Sequence, residues 1–567
     1  MSMKNQFWLI VLLITVPVAC RTPSYVKGEK RSKRGYPDSV TGKISDATTP
    51  EQHKTLGISC FKKGMIEDAL EELKLASEGI PNDGELHHYL GKAYYENNKL
   101  NEAIAELLAA ISFYKPNQTA EMADAYNDLG LAYKKKNAFT ESLSAFKEGL
   151  ELNPSAAELN YNLALLYFDN HMMDECIACL KTAVKIDPKD ADVHFMLGLA
   201  YYKKNFMDKA MHEFKHAADL NPKDADARNY LGIVYYEQGN LEKSIGEHKA
   251  AIQLNRNYTE AFNNLGIALF AKGDLSEASD AFEKVLELEP THAEAHYNLG
   301  LIYSAEGRSE EAVASLEKAI KLNPKIAEAY LKLGEVYTEN NMPEEALSVF
   351  RKAIEVKPGY AEAYYHCGEL YAAEGRHDKS MSAWKKTLEL DPKNTDACFN
   401  LGVAFFNQNK LDKAISLWNK LIEINPSDYD ALTSLAEAYD IQGLTDKAIH
   451  TREKIVEMYP NDAEIQYELG NAYAKKNMHT TAIPFWERAV EIDPNFVNAY
   501  YNLGITYQKI GKQDDAIDVY KKILDINMDD IDVHKKLGLL YQEKGLDVEA
   551  ESEFDIYSKL KSAQEGR

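Results

Sequence analysis

From residue 50 nearly to the C-terminus, apolar residues recur at helical spacing in short blocks that come in pairs. In residues 293–324, Leu299, Ile302 and Tyr303 mark one block, and Ala312, Leu316, Ala319 and Ile320 mark the next. The polar stretch Glu306, Gly307 and Arg308 separates them. The pattern predicts two antiparallel helices, A and B, joined by a tight turn. The pair recurs at a fixed period: Gly198, Gly232, Gly266, Gly300, Gly334, Gly368 and Gly402 are each 34 residues apart. Ala436 takes the next slot, followed by Gly470, Gly504 and Gly538. Prolines run in step at 154, 188, 222, 290, 324, 358, 392, 426, 460 and 494, with Arg256 and Met528 where proline is missing. A glycine mid-way along helix A removes a side chain where helix B must approach closely, which justifies its cost in helix propensity. The proline cannot continue a helix and ends helix B.

One hairpin cannot bury its apolar face alone, whereas stacked hairpins share a continuous core. Units starting at 50, 84, 123, 157, 191, 225, 259, 293, 327, 361, 395, 429, 463, 497 and 531 make fifteen. The second is five residues longer, around 113–122, so a loop or lengthened helix is expected there. The array spans 50–564, and 565–567 are a short tail.

The unit resembles the tetratricopeptide repeat. The family pattern at repeat positions 7, 8, 11, 20, 24, 27 and 32 reads here as Leu299, Gly300, Tyr303, Ala312, Leu316, Ala319 and Pro324. Position 24, aromatic in the family, is leucine in this copy, and Phe214, Phe282 and Phe350 restore it elsewhere. The resemblance implies an all-α, right-handed superhelical solenoid. Its concave groove would be lined by helix A at repeat positions 2, 5, 6, 9, 12 and 13. Such a groove binds protein or peptide segments.

At positions 5, 9 and 12 of that face, repeat 4 carries Tyr161, Leu165 and Phe168, and repeat 5 carries Phe195, Leu199 and Tyr202. Repeats 6 and 7 add Ile233 with Tyr236 and Ile267 with Phe270, and repeat 8 adds Tyr297 and Leu301. Contiguous exposed apolar surface marks a binding face, and the same residues could instead brace adjacent helices. Asn162, Asn264, Asn298, Asn400 and Asn502 share position 6. They resemble the asparagine ladder of O-linked N-acetylglucosamine transferases, where amides, being both donors and acceptors, hold a peptide backbone. Repeats 9, 10 and 12 place Glu335, Glu369 and Glu437 at position 9, so the face turns acidic and suits a basic segment.

Other signals are weaker. The dicarboxylate clamp of chaperone-binding relatives needs lysine at position 5 and asparagine at position 9 of one repeat. Here Lys54 and Lys535 are never paired with Asn471 in that way, and the clamp is absent. His212, Glu213 and His216 spell HExxH, the zinc-hydrolase arrangement. The helix phase puts Phe214 in the buried position 24 and both histidines on the outer side of helix B, without a cleft or third ligand. Cys176 and Cys179 spell CxxC with no redox-fold context, and Cys367 could neighbour Cys398. Small hydrophobic packing suits all four. No cofactor, metal or small-molecule substrate is expected.

The chain of 567 residues has a net charge of −24, which argues against a general nucleic-acid binder. Residues 1–20 read as a signal segment: Lys4, then an apolar run over 7–18 that is too short to span a bilayer. The ending Val18, Ala19, Cys20 resembles the lipobox of bacterial lipoproteins, which implies lipidation of Cys20; Pro17 departs from that pattern. Residues 21–49 carry seven Lys/Arg against three Asp/Glu with no helical period, the composition of a disordered tether. The expected protein is a non-catalytic scaffold lipoprotein of the bacterial cell envelope, anchored to the outer membrane rather than the inner. Pilotin-type tetratricopeptide lipoproteins resemble it but are much shorter. The substrate-recognition partner of an O-linked glycosyltransferase system is the alternative, and an HExxH hydrolase a remote one.

Overall fold

Each hairpin is closed by one backbone feature. In the computed structural model, which describes residues 49–565, repeat position 15 has positive φ in all fifteen units. Glycine occupies it eight times (64, 239, 273, 307, 375, 443, 511, 545), asparagine six times (98, 137, 205, 341, 409, 477), and His171 once. This left-handed residue ends helix A and turns the chain back. In repeat 8, Gly307 N–H donates to the Ser304 carbonyl at 3.1 Å and Arg308 N–H to the Tyr303 carbonyl at 2.8 Å. Glycine meets the conformation freely, and asparagine tolerates it. At the other end, side chains such as Asp190 and Asp224 accept from the first free N–H groups of the next helix A.

Most A helices have 13 residues, as in Ala293–Ala305, and most B helices 14, as in Ser309–Leu322. The extra residues of repeat 2 fall in a turn after Phe113 and in one added turn at the start of the 17-residue helix Thr119–Lys135. The last helix, Asp547–Glu565, has 19. No strand occurs among the described residues, and none of their helices is long and apolar enough to cross a membrane. The leader, Cys20 and the tether up to residue 48 lie outside the described residues.

Within a hairpin, the glycine at position 8 faces the side chain at position 24. A Cβ on Gly334 would stand 2.4 Å from Phe350 Cε1, on Gly402 2.4 Å from Trp418 Nε1, and on Gly198 2.7 Å from Phe214 Cδ1. Every aromatic at position 24 (Phe146, Phe214, Phe282, Phe350, Trp384, Trp418, Trp486, Tyr520, Phe554) meets a glycine this way. Where alanine replaces the glycine, at Ala164 and Ala436, position 24 holds Leu180 and Arg452 instead. Arg452 is buried and paired with Asp440 at 2.7 Å and Glu468 at 3.0 Å.

The array divides into two compact units, one ending at Asn323 and one beginning at Pro324. In the first, one large apolar cluster runs from Tyr95 to Val234, beside smaller ones around Leu73 and Tyr114. In the second the core is split into smaller clusters, such as those around Phe350, Trp418 and Tyr520. Within each unit, every helix packs on its hairpin partner, and each helix B also packs on helix A of the following repeat. In repeats 1, 2, 3, 6 and 7, helix A also touches helix A of the following repeat. In these repeats of the first unit the A helices are therefore a closely spaced row.

Two predictions follow from the backbone. Gly334→Ala should lower stability by ~1–3 kcal/mol through overpacking against Phe350, whereas Gly246→Ala, on an exposed mid-helix site with open space around it, should raise it by about 0.5–1 kcal/mol. Thermal melts of the two variants should shift in opposite directions; shifts of the same sign would refute the close-approach argument. His171→Gly should raise the melting temperature, relieving roughly 1 kcal/mol of left-handed strain; a lowered one would mean that the imidazole makes a contact of its own.

Candidate binding face of the A helices

Position 5 of helix A sits between its own helix B and the next helix A. Phe195 shows the consequence: its ring lies 5.6 Å from Phe214 and 5.6 Å from Tyr230 of the following repeat. It is fully buried. The same holds for Tyr161, Leu165, Leu199, Ile233, Phe270, Tyr297 and Leu301. Helices Ala157–Asp169, Ala191–Lys203 and Ala293–Ala305 are buried nearly all round. The expected exposed apolar surface over repeats 4–8 is therefore corrected at these eight positions, where the side chains cement neighbouring repeats. Phe168, Tyr202, Tyr236 and Ile267 remain half-buried. Three of them, at position 12 of repeats 4–6, leave a narrow aromatic strip.

The position-6 amides also turn sideways. Asn162 Nδ2 donates to Asn127 Oδ1 at 3.0 Å, Asn264 Nδ2 to Asn229 Oδ1 at 3.2 Å, and Asn502 Nδ2 to Asn471 Oδ1 at 2.7 Å. Asn400 Nδ2 donates to the Tyr365 hydroxyl at 3.4 Å. Asn298 is buried with neither amide atom bonded. Four of the five amides thus use a donor to link consecutive A helices.

From repeat 9 onward the face is different. Position 9, buried as Leu131, Leu165, Leu199, Ile233 and Leu301 in the first unit, becomes half-buried Glu335 and exposed Glu369 and Glu437 in repeats 9, 10 and 12, with Val403, Asn471, Ile505 and Leu539 in the other repeats of the second. A second acidic row went unnoticed in the sequence. Position 2 is Asp or Glu in every repeat from Glu51 to Glu464, then Asn498 and Asp532. Its 34-residue spacing was available, but in the first helical turn acidic residues complement the helix dipole in any protein, which disguises it. Here the two rows meet. Burial, and then the facing Glu335 carboxylate, raise the Glu362 pKa. Burial with Glu369 and Asp428 raises Asp396, and burial with Glu468 and Asp462 raises Glu464. Carboxyls held up in this way sit in a field that favours cations.

The HExxH residues are engaged otherwise. Glu213 Oε2 accepts from His194 Nδ1 at 2.6 Å, and His194 Nε2 lies 3.1 Å from the Pro188 carbonyl oxygen. Two acceptors suit an imidazolium, and chiefly the Glu213 bond raises the His194 pKa. The same pair, position 4 to position 23, recurs as His53–Glu72, His87–Glu106 and His534–Glu553, with Arg228–Glu247 as a variant. Glu213 is thus a strut between helices. His212 and His216 are exposed with their Nε2 atoms 3.3 Å apart. The described cysteines are free, and burial raises the Cys179 and Cys367 thiols to about 11. They are unreactive packing groups.

Tetratricopeptide repeat models match residues 130–170, 173–205, 234–273, 368–409 and 470–511, with further matches at 191–224, 213–246, 263–325, 303–361, 395–428, 417–450 and 497–527. The chain belongs to the tetratricopeptide repeat family, an all-α helical-repeat class of interaction scaffolds. Among solved structures it is similar to YrrB, described as a TPR protein with an unusual peptide-binding site, at 29% identity over 32% of this chain and 94% of YrrB (TM-score 0.30). It is also similar to MamA, at 29% identity over 29% of this chain and 97% of MamA (TM-score 0.28). A third is the APC/C hetero-tetramer Cut9–Hcn1, at 15% identity over 80% of this chain and 96% of that one (TM-score 0.32). No curated protein matches.

The His194–Glu213 strut gives a signed pH effect. A raised histidine pKa contributes stability that is complete below the unfolded value near 6.5 and is lost as pH rises through the folded value. Glu213→Gln should therefore cost about 1.5–3 kcal/mol at pH 6 and less at pH 9, measured by denaturant unfolding. A metal-dependent hydrolysis abolished by the same change, with stability untouched, would restore the enzyme reading.

Proposed function

We propose that the chain is a non-catalytic scaffold whose helix A face in repeats 9–13 takes a basic protein segment. One observation carries this reading: Glu369, Asp396, Asp430, Glu437 and Glu464 are exposed at positions 2 and 9 of that unit, and Glu362, Asp396 and Glu464 are raised by burial and by neighbouring carboxylates. A lysine- or arginine-rich segment laid along the A helices would relieve the repulsion and gain charge-assisted hydrogen bonds. The half-buried Phe168, Tyr202 and Tyr236 offer a second, apolar contact in the other unit.

The proposal places the scaffold at the bacterial cell envelope, anchored through lipidated Cys20 with residues 21–49 as a tether. The leader with Lys4, the apolar run over 7–18 and the small residues before Cys20 support this.

A fluorescent lysine-rich 12-mer should bind the full chain, more weakly as salt rises from 50 to 300 mM. The double change Glu369→Lys with Glu437→Lys should weaken it at least tenfold, and Lys352→Glu with Lys386→Glu on helix B should not. Equal effects from the two faces, or tighter binding of the acidic counterpart peptide, would overturn the reading.

A further inference from the structure

The two acidic rows meet between helix Ala327–Glu339 and helix Ala361–Ala373, consecutive A helices of the second unit. There Glu335, Glu362 and His366 each present one ligand atom, and all three atoms lie within 4.8 Å of one another. Among the described residues they are the one such group of three. We propose that Glu335, Glu362 and His366 form a binding site for a divalent transition cation of the zinc type. The site rests on side-chain geometry alone and stands whether or not a peptide occupies the face.

Each ligand is set up differently. The His366 ring stacks on Phe350 (centroids 5.3 Å apart, planes at 16°), so the buried position-24 aromatic of repeat 9 fixes the imidazole plane. His366 Nδ1 lies 3.0 Å from Glu369 Oε2, whose other oxygen accepts from the Tyr365 hydroxyl at 2.9 Å. A carboxylate on one ring nitrogen orients the other and raises its basicity, the outer-shell arrangement of metal-bound histidines. The remaining nitrogen, Nε2, points to Glu335 Oε1 across 3.8 Å. That gap is too long for a hydrogen bond, but it is near the separation of two ligands that share an ion at ~2.1 Å. Glu335 keeps its second oxygen on Lys332 Nζ at 3.0 Å, which holds the carboxylate in place. Glu362 has no hydrogen-bond or ion-pair partner among the described residues, and it faces Glu335 and His366 with Lys332 and Lys357 farther round.

One imidazole with two carboxylates, water completing the shell, suits Zn²⁺ and similar ions rather than Ca²⁺ or Mg²⁺, which take oxygen alone. The three residues sit at positions 9, 2 and 6, so no sequence motif joins them. Two come from one helix four residues apart, and the third comes from the helix before.

The test is Zn²⁺ titration of the metal-free full chain against a chromophoric chelator, with Co²⁺ absorption as a second probe. Both are run in a His212→Ala, His216→Ala background to remove the exposed imidazole pair. One ion per chain is expected. Glu362→Gln and His366→Gln should each weaken binding at least tenfold. Glu362→Gln should also keep or raise the metal-free melting temperature, because it removes a repulsion, which separates ligand loss from misfolding. No bound ion in the double-alanine background, or an affinity unchanged by both glutamine variants, would overturn the proposal.

Discussion

The contact between position 8 and position 24 governs this chain. An aromatic ring on helix B fits only if helix A offers bare backbone, and a Cβ on the facing glycine would sit inside 3 Å of the ring. The hairpin therefore closes at a distance set by glycine, and that distance fixes how far helix B stands from the next helix A. The glycine rhythm, 34 residues except across the longer second repeat, occurs thirteen times: nine glycines face Phe, Trp or Tyr, four face Leu73, Leu107, Leu316 or His248, and alanine replaces glycine in the other two repeats. Ala164 faces the slimmer Leu180, and Ala436 faces Arg452, whose charge is met by Asp440 and Glu468. No Phe, Trp or Tyr at position 24 faces an alanine.

A second requirement is purely local. Position 15 must turn left-handed, and the chain meets it with glycine or asparagine in all but one repeat. Helix phase, hairpin order and repeat number were legible because both requirements act within one repeat and leave residue-type signatures at fixed spacing. The lengthened helix Thr119–Lys135 was foreseen only as a bulge of uncertain form, since five added residues can lengthen a loop or a helix at similar cost.

The binding face was much less legible. Leucine at position 9 reads equally well as a ligand contact and as mortar between repeats, and only the spacing of neighbouring A helices decides. Phe195, wedged between Phe214 and Tyr230, is mortar. Glu213 is a similar case: the HExxH string is real, but a histidine 19 residues earlier has already taken the carboxylate. In a stacked array the deciding contacts lie about one repeat away, beyond the window in which a motif is recognised.

Acidity is the feature for which context matters most. A glutamate in the first turn of a helix has a reason to exist in every repeat, because the helix dipole favours it. That reason does not require a carboxylate one turn away on the preceding helix, nor an imidazole held flat by a phenylalanine. Where Glu335, Glu362, His366 and Glu369 converge, helix stabilisation alone does not account for the arrangement, since Glu335 faces Glu362 across two helices. The cluster is built on two helices rather than on a loop, which suits the proposed cation site. In this fold the close-packed glycine–aromatic hairpins supply the rigidity, and through Phe350 they supply part of the site itself.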